Sequence, residues 1–429
     1  MKITVKFAHL ILLALTKESL LCLIFTLCSL QGNEVKKIIF HDDLHDYYTS
    51  NPDDSFSELI PLFQLGKLTL PFNSDEKEMV RQLLQKLNIP ISSQTLVFSN
   101  TSLQLSKIGP NSPRAIYFSD DLYLGYVPNG QIEVIGIDPQ RGAIPYIFSL
   151  PKEKGQQFPP ISRSRKCMRC HASEKTDFIP GLLLGSVIPM HGGGTLDVLN
   201  HGKPSHNTPY SSRFGGWYLN SPKLPFSNWA NAIGKIVNHE KIEKTQLHNQ
   251  NWAKKYPTGN SDPISIMVLE HQIGFTNLCI KLQYLSRQEL NRNSKLSDEF
   301  INQSADKLLE YCLFKNEPKL PNAIKKGESE FAKVFETVGQ NKSATESLRE
   351  LQLKERLFKH RCSYMINSKL FGAIHTLIRK KFFSKLALIL SNHNQKNQSY
   401  KYLTKVECEA LDRILSLTNE MYRVQKKGV

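Results

Sequence analysis

Between residues 94 and 150, apolar and aromatic residues come in short runs, TLVFS, AIYFS, LYLGYV, IEVIGI and PYIFSL, broken by PNSP, SDD, PNG and DPQRG. Runs of this length, rich in β-branched and aromatic side chains and bounded by turn formers, predict strands of an antiparallel sheet or meander. Residues 181–188 and 214–219 predict two further strands. The period changes after Pro263. Ile264, Met267, Phe275 and Leu278 recur at three to four residues, and similar spacing as far as Leu417 predicts a helical C-terminal half. Upstream, Ser55–Gly66 and Asp75–Leu87 predict short helices. The expected fold class is therefore α+β, with a β-rich segment preceding and flanking a C-x-x-C-H turn and a mostly α-helical C-terminal half. The regions follow the same pattern: 33–100 N-terminal and helical, 101–220 β-rich, 221–260 a polar Lys/Asn-rich connector, and 261–429 helical.

The first 32 residues stand apart. Lys2 and Lys6 precede an apolar run from Leu20 to Leu30 that turns polar at Gln31, as in a secretory signal. Lys17 and Glu18 interrupt the apolar stretch, so a clean span of about 20 residues is not available, although an uncleaved anchor is the alternative. The expected location is exported and periplasmic, with any membrane association made through this segment alone. Export sets the redox conditions. Cys22 and Cys28 would leave with the signal, while Cys279, Cys312, Cys362 and Cys408 would remain where disulfides form. Those four read as small buried apolar residues or as one or two disulfides of undetermined connectivity.

The chain carries 55 Lys and Arg against 39 Asp and Glu, a formal charge of +16. Such a field favours polyanions or acidic partners. The basic residues are spread along the chain rather than interleaved with aromatics on one element, which argues against a nucleic-acid reader. Their densest run, Arg163, Arg165, Lys166 and Arg169, surrounds Cys167 and Cys170.

That run contains the sequence CMRCH. With 8 Cys and 13 His in 429 residues, C-x-x-C-H would arise about 0.005 times in a shuffled chain, so the haem-attachment pattern asks for an explanation. Two thiols one helical turn apart can add to the two vinyl groups of haem as thioethers. A histidine directly after the second thiol then lies under the iron. The expected cofactor is one covalent haem c held by Cys167 and Cys170, with His171 as the proximal ligand. Met190, with His191 beside it, and His271 are the candidates for the sixth ligand, although His271 lies on the apolar stripe of its helix and reads first as a hydrogen-bonded core residue.

Other chemistries use parts of this pattern. Zinc would need two further ligands, and His201 and His206 have the required spacing, so a zinc-binding structural protein is the minor alternative. A thioredoxin-type pair would want a strand before the motif, and GQQFPPISRSRK is not one. A simple Cys167–Cys170 disulfide is a further reading. HGGG at His191–Gly194 has the composition of an oxyanion-hole loop, but the chain has no G-x-S-x-G nucleophile elbow. No phosphate-binding or dinucleotide-binding glycine pattern occurs. HDDLH, His41–His45, has residues that could touch a metal but, near a new N-terminus, reads as a solvated flank.

The succession SSQTLVFSNTSLQ, PRAIYFSDDLYLGYVPNG, IDPQRGAIPYIFSL, CMRCHAS, PGLLLGSVIP, RFGGWYLN, SDPISIMVLEHQ and LFKHRCSYMINSKLF resembles a group of uncharacterised exported bacterial proteins with a single CxxCH. These are the cytochrome c domain-containing proteins of planctomycete-type and related bacteria. The resemblance runs from about residue 50 to 420 and implies haem c on Cys167, Cys170 and His171 and an exported location. After GGWYLN the chain departs from the group, with SPKLPFSNWANA where a histidine-containing H-x-G-N segment is expected.

The expected role is electron transfer by an exported monohaem c-type protein. Its expected partners are the cytochrome c maturation machinery and a periplasmic redox protein whose acidic face docks on the basic run. The alternatives are a haem-dependent, peroxidase-like oxidoreductase, since about 300 residues exceed a minimal cytochrome, and a haem-based sensor. A filled sixth position favours electron transfer, and an open one favours the enzyme or sensor.

Overall fold

The computed structural model describes residues 38–100, 102–156, 160–200, 204–238, 241–248, 251–338, 346–391 and 398–428. The N-terminal segment read as a signal, with Cys22 and Cys28, and the zinc candidate His201 lie outside them.

The β-rich half is built on one seven-stranded antiparallel sheet in the order β6-β5-β4-β3-β2-β1-β9. Its strands are β1 (Thr95–Val97), β2 (Arg114–Phe118), β3 (Leu122–Tyr126), β4 (Ile132–Asp138), β5 (Gly142–Phe148), β6 (Ser162–Arg163) and β9 (Trp217–Tyr218). The alternation that predicted these strands sets the register. Tyr117 faces Leu124, Leu124 faces Val134, and Val134 faces Tyr146, one buried row across four strands. Because side chains alternate faces, Tyr123, between Leu122 and Leu124, points the other way.

Both faces of the sheet are covered. On the face of the Tyr117–Tyr146 row lie Phe56, Leu83 and Leu84, the last two from helix α2 (Glu76–Lys86), which follows the short helix α1 (Ile60–Gln64). Helix α1 is shorter than the Ser55–Gly66 pattern predicts because the buried carboxylate of Asp54 takes the N–H groups of Phe56 and Ser57 into a turn. Asp54 also accepts the Tyr146 hydroxyl at 2.6 Å. Gly136 of β4 makes room for it, since a Cβ there would meet Asp54 Oδ1 at 2.0 Å.

Against the other face lies the 31-residue helix α4 (Pro263–Asn293), which follows α3 (Met168–His171) in the chain. Asp262 caps α4 by accepting from Ile264 N at 2.7 Å. The cap fixes the start. Gln272 donates to the Ser119 carbonyl and the Tyr123 hydroxyl, and Tyr284 donates to the Arg141 carbonyl, so the helix is tied to the sheet along its length. The remaining helices are α5 (Asp298–Cys312), α6 (Glu330–Thr337), α7 (Lys369–Gly372), α8 (Thr376–Ser391), α9 (Lys405–Thr418) and α10 (Glu420–Lys426), with α8 packed on α5, α9 and α10. The fold is thus α+β with a mostly helical C-terminal half. No helix among the described residues is long and apolar enough to cross a membrane.

The sequence regions do not separate in space. Residues 39–429 form one compact unit, and the border at residue 100 cuts β1 from the β2 it pairs with. The stretch 221–260, expected to be a connector, contains the hairpin β10 (Ala232–Val237) and β11 (Lys241–Gln246). Its Lys-rich outer face hid the alternation. Of residues 181–188, only the end joins a strand, β7 (Val187–Pro189), which pairs with β8 (Thr195–Val198).

A methyl group at Gly136 must displace the Asp54 carboxylate from its buried bonds. The Gly136→Ala variant is expected to lose about 1–3 kcal/mol in denaturant unfolding, the usual range for overpacking. Gly372→Ala, at an exposed position with nothing within 4 Å, is the control and is expected to match the wild type.

Candidate functional site

Cys167, Cys170 and His171 follow directly from the sheet edge. Strand β6 pairs Arg163 with Tyr146 and Ser162 with Ile147, and Ser164 N–H donates to the Pro145 carbonyl at 2.8 Å. The chain then turns into α3, where Cys170 N and His171 N both donate to the Cys167 carbonyl, at 3.1 and 3.0 Å. This single turn sets both thiols and the imidazole close along one short helix. Met168 is the anchor, buried against Tyr47, whose hydroxyl lies 3.3 Å from its sulfur and donates to the Ala143 carbonyl. The thiols stay accessible, Cys167 half-buried with its Sγ 3.2 Å from Ser164 Oγ, and Cys170 exposed.

After α3 the chain loops out and returns. Asp177 and Phe178 take left-handed conformations, φ 55° and 60°, and Lys281 of α4 pairs with Asp177 at 2.7 Å. The return brings Gly181 back to His171 in a reciprocal pair: Gly181 N–H donates to the His171 carbonyl, and His171 Nδ1 lies 2.8 Å from the Gly181 carbonyl. A carbonyl only accepts, so this contact puts the ring proton on Nδ1 and leaves the lone pair on Nε2. Asn277 of α4 fixes the carbonyl in turn, bonding both N–H and C=O of Leu182 at 2.8 and 2.9 Å. A Cβ on Gly181 would meet Asn277 Oδ1 at 2.8 Å, so this approach needs glycine.

The electrostatics favour a neutral imidazole at His171. Desolvation lowers the His171 pKa, the Gly181 contact opposes this, and Arg114 and Glu133, an ion pair of 2.9 Å, act on the ring with opposite signs. Burial raises the Cys167 thiol, with Ser164 opposing. Of the basic run, Arg163 turns inward, donating to the Ser50 carbonyl at 3.2 Å and to the Tyr47 carbonyl and lying over the rings of Tyr47 and Tyr48. Arg165 stacks on Tyr48 at 4.4 Å while staying exposed with Lys166 and Arg169.

The two candidates for a sixth ligand are placed very differently. His271 is wholly buried, with Nδ1 2.9 Å from Nδ1 of His206 and Nε2 2.8 Å from the Ser363 hydroxyl. Phe314 stacks on it at 4.7 Å, and burial drives its pKa down to about 3. Both ring nitrogens are occupied by the protein, so in this structure His271 is a core residue and not a residue that could bind iron. Its place on the apolar stripe of α4 reflects that burial. Met190 is 44% exposed at the turn of the β7–β8 hairpin, closed by Met190 N–H on the Gly194 carbonyl at 2.7 Å, with His191 exposed beside it. Asn100 N–H donates to the Gly193 carbonyl, which ties the hairpin tip to the chain just beyond β1.

Burial bears on two further expectations. His206, half of the expected zinc pair, is committed to His271, and the described residues contain no group of three His, Cys, Asp or Glu that could hold a metal ion. Within HDDLH, His41 and Asp43 are exposed, while His45 is buried and accepts from Arg287 Nε at 3.1 Å. A cavity of about 320 Å³ lies elsewhere, between Phe118, Gln272, Phe331, Phe335 and Arg349, and no motif residue lines it.

Sequence reasoning missed Gly181 and Asn277, which orient His171. The glycine in PGLLLGS was the available signal; nothing in the spacing of α4 marked the asparagine. No family model matches the chain, and it matches neither a curated protein nor a solved structure.

The buried histidines make stability depend on pH. His271 falls from an ordinary value of about 6.5 to about 3, so between these values the unfolded chain binds a proton that the folded chain refuses. Stability is therefore present above about pH 6.5 and falls on acidification by about 1.4 kcal/mol per pH unit for this residue. In urea melts from pH 7 to 4, His271→Gln is expected to show a shallower acid loss than the wild type, whatever its stability at pH 7.

Proposed function

We propose that the protein is an exported monohaem c-type cytochrome-like protein that transfers electrons. The observation carrying this reading is the His171 imidazole. It follows two accessible thiols one helical turn apart, and its Nδ1–H is held by the Gly181 carbonyl, so that Nε2 presents a lone pair. A histidine whose other nitrogen donates to a backbone carbonyl is the usual form of an oriented metal ligand. The donor set therefore fits haem c.

When bound, the haem would supply an iron that cycles between two oxidation states. The chain's own residues divide the remaining work. Cys167 and Cys170 would hold the haem covalently, His171 would supply a nitrogen ligand through Nε2, and Gly181 and Asn277 fix the imidazole's tautomer and orientation. Met190 is the remaining sixth-ligand candidate, with an exposed thioether on a turn. A methionine there would raise the potential relative to a second histidine. Arg165, Lys166 and Arg169, exposed around the motif, offer a docking face to an acidic redox partner. The haem-dependent oxidoreductase remains the second reading, because the exposed Met190 leaves the sixth position free to be open.

Protein made with cytochrome c maturation machinery is expected to keep its haem through denaturing extraction, and the Cys167→Ala/Cys170→Ala variant to lose it. Absence of covalent haem in the wild type defeats the proposal. A low-spin spectrum that becomes high-spin in Met190→Ala supports electron transfer with Met190 as ligand. A high-spin wild-type spectrum that shifts with cyanide or peroxide supports the oxidoreductase.

Docking on the basic face has a separate signature. Reduction by an acidic redox protein is expected to slow as ionic strength rises from 10 to 200 mM, because the attraction between exposed charges is screened. A salt-independent rate removes the docking face while leaving the haem untouched.

A further inference from the structure

We infer that Cys312 and Cys362 form a disulfide in the mature protein, fastening the end of helix α5 to the segment that leads into α7. The inference uses the exported location proposed above and does not use the haem.

The two sulfurs lie 3.5 Å apart although the residues are 50 positions apart in the chain. Both residues are fully buried. Their backbones are also registered: Ser363 N–H donates to the Cys312 carbonyl at 2.9 Å, so the chain beside Cys362 is pinned to the last residue of α5. A disulfide needs a sulfur separation near 2.0 Å, so the bond asks for an approach of about 1.5 Å between side chains whose backbones are already paired. The other thiols fit less well. No hydrogen bond pairs Cys279 or Cys408 with another described cysteine.

The chemistry is an ordinary thiol–disulfide exchange. The two thiols lose two protons and two electrons as the Sγ–Sγ bond forms, and the electrons reduce the disulfide of an exchange protein in the exported compartment to two thiols. The Cys312 contact and burial hold the Cys362 thiol well above its ordinary pKa once the protein is folded. Exchange needs a thiolate, so the bond forms before α5 and the Cys362 segment are covered. Once made, it closes the loop that carries α6 and steadies Ser363, which holds Nε2 of His271.

The test is a non-reducing tryptic map of the full-length protein purified from the exported fraction. Residues 308–315 are expected to be joined to residues 362–369 and to separate on reduction. Alkylation of the unfolded, unreduced protein is expected to label Cys279 and Cys408 and to spare Cys312 and Cys362. Labelling of both Cys312 and Cys362, or a bridge from Cys279 to either, overturns the inference. Should the chain stay in the cytosol, refolding of the reduced full-length protein with oxidised glutathione puts the same question with the oxidant supplied. Failure of export is then distinct from failure of the pairing. Reduction is expected to lower the melting temperature of the wild type and leave that of Cys312→Ser/Cys362→Ser unchanged. Equal insensitivity in both proteins also overturns it.

Discussion

A helix with both sides covered favours polar side chains that find partners, since an unmet buried polar group costs about 1–3 kcal/mol. Helix α4 is that helix here, and its polar residues reach in different directions. Gln272 holds the sheet at Ser119 and Tyr123, His271 meets His206 and Ser363, and Asn277 clasps Leu182. Glu270 pairs with Arg213 at 3.1 Å, both nearly inaccessible to solvent. Each contact fixes a different segment of the surrounding chain against one rigid rod. The loop bearing Gly181, and through it the orientation of His171, is one of the segments so fixed.

The same rule explains what could and could not be read in advance. The strands were legible because their alternation is written in adjacent residues: the Tyr117, Leu124, Val134 and Tyr146 row needs only a period of two. The motif was legible because its chemistry lies within five consecutive positions. Asn277 and Gly181 were not, since Asn277 reaches Leu182 across 95 positions, Gly181 reaches His171 across 10, and their meaning lies in a contact. His271 was left between core residue and ligand for the related reason that an apolar stripe shows burial but not what the buried polar group touches. The β10–β11 hairpin escaped because one of its faces is Lys-rich, which made the segment look like a linker.

Burial also separates the two histidine environments. His171 gives one ring nitrogen to the Gly181 carbonyl, on a short helix at the rim of the sheet. His271 gives both nitrogens to the protein and lies among aromatic rings. Identical side chains thus differ in the number of partners that the fold provides.

The sheet ends on one side in β6 and on the other in β9, each only two residues long. Long unpaired strand edges invite another chain to add on, and short ones offer too few N–H and C=O groups to hold it. Strand β6 runs straight into the turn that carries Cys167 and Cys170. The end of the sheet that leads into the two thiols therefore gives neighbouring copies little backbone to extend into a shared sheet.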